Sequence, residues 1–334
     1  MDTAETDIDE RALGTTGYDV TEVGMGTWNV GSDWGEVSED EGREAIRAAL
    51  DAGITFLDTA DVYGDGRSER LIREVLADHD AEPVVATKAG RRLDPHVAAD
   101  YDREHLEKFV DRSLENLGVE TLDLLQLHCP PTDAYYQPET FEALSGLVDE
   151  GKIAHYGVSV ERCEEGLKAI EYPGVETVQI IANPLRQRPT ELFFREADRR
   201  DVGVIVRVPL ASGLLTGALD ADTEFPEDDH RNYNRDGDAF DVGETFAGVP
   251  YEVGLEAVDE LRPAVPEEWS MAQFTLRWIL DFDAVTTVIP GSTNPEHVRA
   301  NAAASRLRSL SDEERATVTE VYDESVREHV HHRW

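Results

Sequence analysis

Four residues in three separated stretches have the types and spacing to deliver a proton. The stretch 53–66, GITFLDTADVYGDG, carries Asp58 at the end of an apolar, β-leaning run and Tyr63 in the loop beyond it. PVVATK ends in Lys88 and LDLLQLH ends in His128, so three apolar runs each finish in an ionisable residue. One such acid at one strand end is as readily an ordinary cap. Three that share a pattern point to parallel strands gathering their C-terminal ends at one mouth. A free tyrosine has a pKa of about 10, too high for good proton donation near neutrality. A neighbouring ammonium favours the phenolate and lowers that value, and a carboxylate keeps the ammonium charged and in place. An imidazole can orient a substrate oxygen by donating a hydrogen bond. Lys88, Asp58 and His128 are those three groups around Tyr63.

The elements that must position them alternate in a regular series. Residues 11–26 hold two short β-like pieces split by Gly17, a hairpin, and the second piece runs on into VTEVGMGTW as the first core strand. Helical periodicity over 40–52 ends at Gly53, a C-cap residue. Strands are then expected at 54–57, 83–88, 122–128, 153–159, 177–182, 203–208 and 284–289, with helices at 68–77, 102–117, 138–150, 161–170, 191–200, 270–280 and 295–304. Repeated right-handed crossovers close such a series into an α/β (β/α)8 TIM barrel, a single domain spanning 1–334. The rival, a doubly wound open sheet, needs G-x-G-x-x-G after its first strand, and GMGTWNVG lacks that spacing. A long insertion, 212–269, follows the seventh strand, contains a helix near 252–261 and is expected over the barrel mouth. A last helix is expected at 312–327, and the acidic residues 1–10 read as a flexible arm.

Composition narrows the partners. Of 334 residues 71 are acidic and 31 basic, for a formal net charge of −40. So acidic a surface repels phosphate backbones and anionic lipid, which argues against nucleic acid and membranes. No apolar run approaches the roughly 20 residues of a membrane span, and the acidic N-terminus is unlike a signal peptide, so the expected location is cytoplasmic. Acidic residues spread evenly along the chain suggest a halophilic surface kept soluble at high salt. Cys129 and Cys163 make no disulfide or metal framework. Cys129, beside Pro130 and Pro131, reads as part of a rigid turn. His329, His331 and His332 lack a partner at ligand spacing, so no catalytic metal is expected.

At the catalytic stretches the sequence closely resembles the aldo-keto reductases. The likeness runs from GMGTW through FLDTADVYG, VVATK, LLQLH, GKIAHYGVS, VQIIANPL and PLASGLLTG to IPGSTN. It implies that Asp58, Tyr63, Lys88 and His128 are the catalytic tetrad, and that hydride passes between a nicotinamide and an aldehyde or ketone, or in reverse from an alcohol. It further implies that Ser159 and Gln179 hold the nicotinamide carboxamide. Thr27 and Asp58 would also touch the cofactor, as would Arg207, Pro209, Leu210 and Leu215 around the seventh strand. Ser212, Gly213, Gly291 and Ser292 are small enough to let backbone amides approach the phosphates, with Thr293, His297 and Asn301 beyond. Trp28, Tyr63 and His128 would meet the substrate, and Trp34, Tyr135 and Tyr136 lie in loops expected near the rim.

The chain departs from the family pattern in places. Val160 follows Ser159 where Asn is usual, Arg207 stands at or beside the place of an aromatic that stacks on nicotinamide, and no Lys or Arg occupies 291–293. Family precedent favours NADP(H), with NAD(H) the alternative; the substrate is a small carbonyl or alcohol, and the oligomeric state is open. Two other functions fit parts of the pattern. One is a Schiff-base aldolase-type barrel using Lys88, and the other is a redox-sensing regulatory subunit with little turnover.

Overall fold

The computed structural model describes residues 8–31 and 37–334. Its first element is an antiparallel hairpin, β1 (Glu10–Ala12) with β2 (Asp19–Thr21). The strands β3 (Met25–Gly26), β4 (Phe56–Asp58), β5 (Val84–Ala89), β6 (Leu122–His128), β7 (Ile153–Ser159), β8 (Val175–Ile181), β9 (Gly203–Arg207) and β10 (Val285–Val288) then pair in parallel, each with the next. Parallel bridges Val23 to Val288 and Gly26 to Gly291 bring the first and last together, so the sheet is an eight-stranded, nearly closed barrel. Helices cover its outside, which is why the strands are apolar on both faces rather than alternating.

The expected elements appear with shifts at their ends. Ser38 and Glu41 form a reciprocal cap on the helix Glu39–Asp51, and Asp102 caps Arg103–Leu117, which stops at Gly118 in the left-handed region with φ 70°. Two expected helices are shorter, Cys163–Ala169 and Phe193–Asp198. The last is α-helical only over Asp312–Val321. A π turn, Tyr322–Val326, then rotates Tyr322 and Val326 into the core before Arg327–Val330. The insertion has the expected helix, Tyr251–Leu261, preceded by short turns.

Residues 8–10, expected to belong to a loose arm, are tied down. Ile8 is buried, the Asp9 amide donates to Ser305 Oγ at 3.1 Å, and Glu10 pairs in β1. Residues 1–7 of that arm, and Trp34, lie outside the described residues. No helix among the described residues is long and apolar enough to cross a membrane.

Candidate active site

Side chains two apart on a strand share a face. Phe56, Ala86, Leu124 and Ile205 join Leu13 and Val20 of the hairpin segment and Ile289 in one apolar cluster, the floor of the barrel. Two positions further along the same strands stand Asp58, Lys88, Gln126 and Arg207, so the layer above the floor is polar. Gln179 joins it from β8, and His128 stands one step higher on β6.

These polar groups satisfy one another. Lys88 Nζ donates to Asp58 Oδ2 at 2.5 Å, to the Thr59 carbonyl at 2.9 Å and to Tyr63 Oη at 3.2 Å. Asp58 Oδ1 accepts from Gln179 Nε2 at 2.6 Å and from Gln126 Nε2 at 3.2 Å. Burial opposes the charge of Lys88, yet Asp58 and Tyr63 outweigh it and raise the lysine above its ordinary pKa. A lysine so held is a poor nucleophile, which counts against the Schiff-base alternative.

Tyr63 differs from expectation. Burial raises its pKa and is the largest influence; Lys88 pulls the other way, the Asp58 carboxylate works against that pull, and the net direction is upward. The ammonium therefore holds a protonated phenol in place rather than ionising it. The His128 ring meets Tyr63 edge-on at 5.9 Å between centroids. Burial, then the cations Arg91 and Lys88, push its pKa well below the usual histidine value, leaving a neutral imidazole with one N–H to donate.

Above this layer opens a cleft. Trp28, Tyr63, His128, Asp58, Gln179, Arg207, Pro209, Leu210, Ser212, Gly213 and Gly291 line it, as the sequence suggested. Gly213 lines the cleft with φ 103°, a conformation that a residue with a side chain would adopt only under strain. Trp28 is covered from the insertion by His230 at 4.6 Å and Phe240 at 5.8 Å between ring centroids.

Other expected residues do not line the cleft. Thr27 is wholly buried and donates to the Asp58 carbonyl at 2.9 Å while accepting from Ser68 Oγ at 2.6 Å. Ser159 sits behind Gln179, its hydroxyl 3.4 Å from Gln179 Oε1. Leu215 is core. The Ser292 hydroxyl accepts from the Asn294 amide at 3.1 Å in the turn before the helix Pro295–Ala302. On that helix Asn301 is buried and His297 is exposed. The Ser292 and Thr293 amides point at the Asn29 side chain, 3.0 and 3.2 Å from its oxygen when the amide is turned to receive them. Tyr135 is buried in the core and Tyr136 is on the surface, so neither rims the cleft.

Several site residues escaped the sequence reading. Gln126 could have been found, since it lies two before His128 on the same strand face. Asn29 lines the cleft from the short helix Trp28–Gly31. Glu244, deep in the insertion, lines the cleft and is 4 % exposed. It ion-pairs with Arg91, just past β5, and with Arg207 at 3.4 Å. Burial alone would raise its carboxyl, but Arg91 and Arg207 hold it down at about 2. Nearby Glu161 is pushed up to about 7 by burial and by Asp241 and Glu244. Cys129, Glu161 and Glu244 bring a thiol and two carboxylates within 4.8 Å of one another. Arg91 and Arg207 already supply the positive charge there.

Comparison with known proteins agrees with this geometry. Residues 22–323 match the model of the Aldo/keto reductase family. The NADP(+) aldo-keto reductase yakc of Schizosaccharomyces pombe is 26 % identical over 310 residues, covering 90 % of this chain and 87 % of the relative. The NADH-specific methylglyoxal reductase of Escherichia coli is 27 % identical over 333 residues, covering 92 % and 97 %. Among solved structures, the glycerol dehydrogenase of Gluconobacter oxydans superposes with a TM-score of 0.76 at 29 % identity, covering 95 % of this chain and 96 % of that one. With residues 22–323 matched, the chain belongs to the aldo/keto reductase family.

Proposed function

We propose that Tyr63 is the group that gives a proton to the carbonyl oxygen of a small aldehyde or ketone, or takes one from an alcohol in reverse. One observation carries this reading: Lys88 Nζ bridges Asp58 and Tyr63 from within the wall of the cleft, at 2.5 and 3.2 Å. A phenol with raised pKa keeps its proton at neutral pH until a developing alkoxide, a much stronger base, calls for it. Neutral His128 donates its N–H to the same oxygen and fixes its direction toward Tyr63.

A nicotinamide cofactor, when bound, supplies or accepts the hydride. The cleft suits it: Gln179 offers an amide to the carboxamide, and Ser212, Gly213 and Gly291 line the cleft with small residues on the loops where phosphates would lie. Ser159 would act from behind Gln179. Aldo-keto reductase relatives bind NADP(H), and one relative is named for NADP(+) and another for NADH. Our reading is NADP(H), with His297, exposed on the helix Pro295–Ala302, offered to the added phosphate; NAD(H) is the alternative.

The test is a steady-state screen of short aldehydes and ketones with both cofactors, run on the wild type and on Tyr63→Phe. The variant should fold normally and lose at least about a hundredfold in kcat. Full activity in Tyr63→Phe would remove the phenol from the proton path, and no turnover by the wild type with any carbonyl would favour the regulatory-subunit reading.

A further inference from the structure

The insertion carries a carboxylate into the cleft, and the chain fixes it there from several sides. Glu244 Oε2 accepts from Arg91 Nη1 at 3.2 Å, and its Oε1 ion-pairs with Arg91 and, at 3.4 Å, with Arg207 Nη1. The Glu244 carbonyl accepts from Ser212 Oγ at 3.1 Å, and the same hydroxyl accepts from the Phe246 amide at 3.2 Å. Asn234 Nδ2 donates to Thr245 Oγ1 at 3.1 Å. From outside, the Trp334 indole donates to Asp241 at 3.1 Å and is covered by the Arg186 guanidinium at 4.1 Å. Gly248 lies so close to that ring that a Cβ would come within 2.1 Å of it. Glu244 is therefore held in one place by contacts at both ends of its segment.

From this clamped geometry we propose that Glu244 is a built-in counter-ion that selects substrates by charge. It occupies the Arg91–Arg207 pair, so the part of the cleft beside Arg207 accepts uncharged carbonyl compounds and rejects those carrying a carboxylate near the reacting carbon. The charges along the cleft support this. Among the described residues its charged lining is Asp58, Glu244 and Arg207. Asp58 is matched by Lys88, and Arg207 spends donors on Glu244, on the Val160 carbonyl at 3.1 Å and on Cys129 Sγ at 3.5 Å. His128 is neutral. The buried Nε of Arg207 has no hydrogen-bond partner, but an entering anion would find cations already engaged by the Glu244 carboxylate and would lie against it. The selection rests on the carbonyl-reductase reading above.

The test compares two aldehydes of equal chain length, butanal and succinic semialdehyde, as substrates of the wild type and of Glu244→Gln. The wild type should favour butanal in kcat/KM by at least about a hundredfold. Glu244→Gln, which leaves the two guanidinium groups without their anion, should reduce that preference at least about tenfold, mainly through a lower KM for the acid. Equal use of both aldehydes by the wild type, or an unchanged ratio in the variant, overturns the proposal. Calorimetric titration of the wild type with butyrate and butyramide supplies an answer that needs neither turnover nor a folded variant. Butyramide binding alone supports the selection, and butyrate binding as tightly or more tightly refutes it. Failure of both aldehydes to react, with butyramide still preferred, would count against the reductase reading while leaving the charge selection standing.

Discussion

Asp61 lies three residues beyond Asp58 and has no exposed surface, and neither carboxyl oxygen has a hydrogen-bond partner. Burial, and then the Glu69 carboxylate, push its pKa from 3.8 to about 7, against partial relief from Arg92 and Arg112. The folded state therefore keeps a proton that the unfolded chain releases near pH 4. Stability falls as pH rises from about 4 to about 7, and the cost is fully present above that window. At 1.36 kcal/mol per pKa unit the gap corresponds to about 4 kcal/mol. Replacing the acid by its neutral isostere, Asp61→Asn, should remove that cost. Urea unfolding of both proteins at constant KCl should show the variant more stable by about 2–4 kcal/mol at about pH 8. The gain should hold down to about pH 7, then shrink by about 1.4 kcal/mol per pH unit and vanish near pH 4. Because both proteins share every other titrating group, the difference between them isolates this one. A variant that is less stable at about pH 8, or a difference independent of pH, would show that Asp61 is charged and paired in the native state and that the reasoning is wrong.

Lys88→Met should abolish carbonyl reduction and lower stability by about 3–5 kcal/mol, since it leaves the Asp58 carboxylate buried without its cation. Urea unfolding should show much of that loss recovered in the double variant Lys88→Met with Asp58→Asn, and strictly additive losses would mean that the pair is not coupled. The net charge of −40 leads us to expect a halophilic response, with the thermal midpoint rising as KCl is increased from about 0.1 to about 2 M while counter-ions screen the surface. A midpoint unchanged over that series would dismiss the salt adaptation.

What could be read from the sequence follows from the period of a strand. Asp58, Lys88 and His128 end apolar runs, and a buried strand allows an ionisable residue only where its face reaches the mouth, so the signal is local and strong. The same period would have yielded Gln126 by counting back two from His128. Glu244 is a different case. It sits 37 residues beyond Arg207 in a segment without periodicity, and its importance comes from Arg91, Ser212 and, through Asp241, Trp334, which the fold alone brings near. Thr27 and Ser159 show a further limit. Ser159 ends β7 and Thr27 falls just past β3, but a hydroxyl can turn either toward the cleft or back to the frame, and Ser68 and Gln179 decide that. The upward direction of Tyr63 was likewise hidden, since Lys88 was visible in the sequence and the desolvation around the phenol was not.

The backbone just past two site residues carries the same reasoning one step further. Cys129 follows His128 with φ 48°, and Val208 follows Arg207 with φ 49°. For a β-branched residue such as Val208 that conformation is unfavourable by about 1–3 kcal/mol, and it persists only where surrounding contacts enforce it. The contacts are present. The Asn183 side chain donates to the Val208 carbonyl at 3.0 Å, and the Cys129 amide donates to the Ser159 carbonyl at 3.0 Å. In both places the regular strand ends, His128 being the last residue of β6 and Arg207 the last of β9. Beyond Arg207 the chain runs on along the cleft as Val208, Pro209 and Leu210, and beyond His128 the Cys129 thiol accepts from Arg207 Nη2 at 3.5 Å. The two turns thus seat the loop residues against the layer that holds Tyr63, and they leave Arg207 within 3.4 Å of the anchored Glu244.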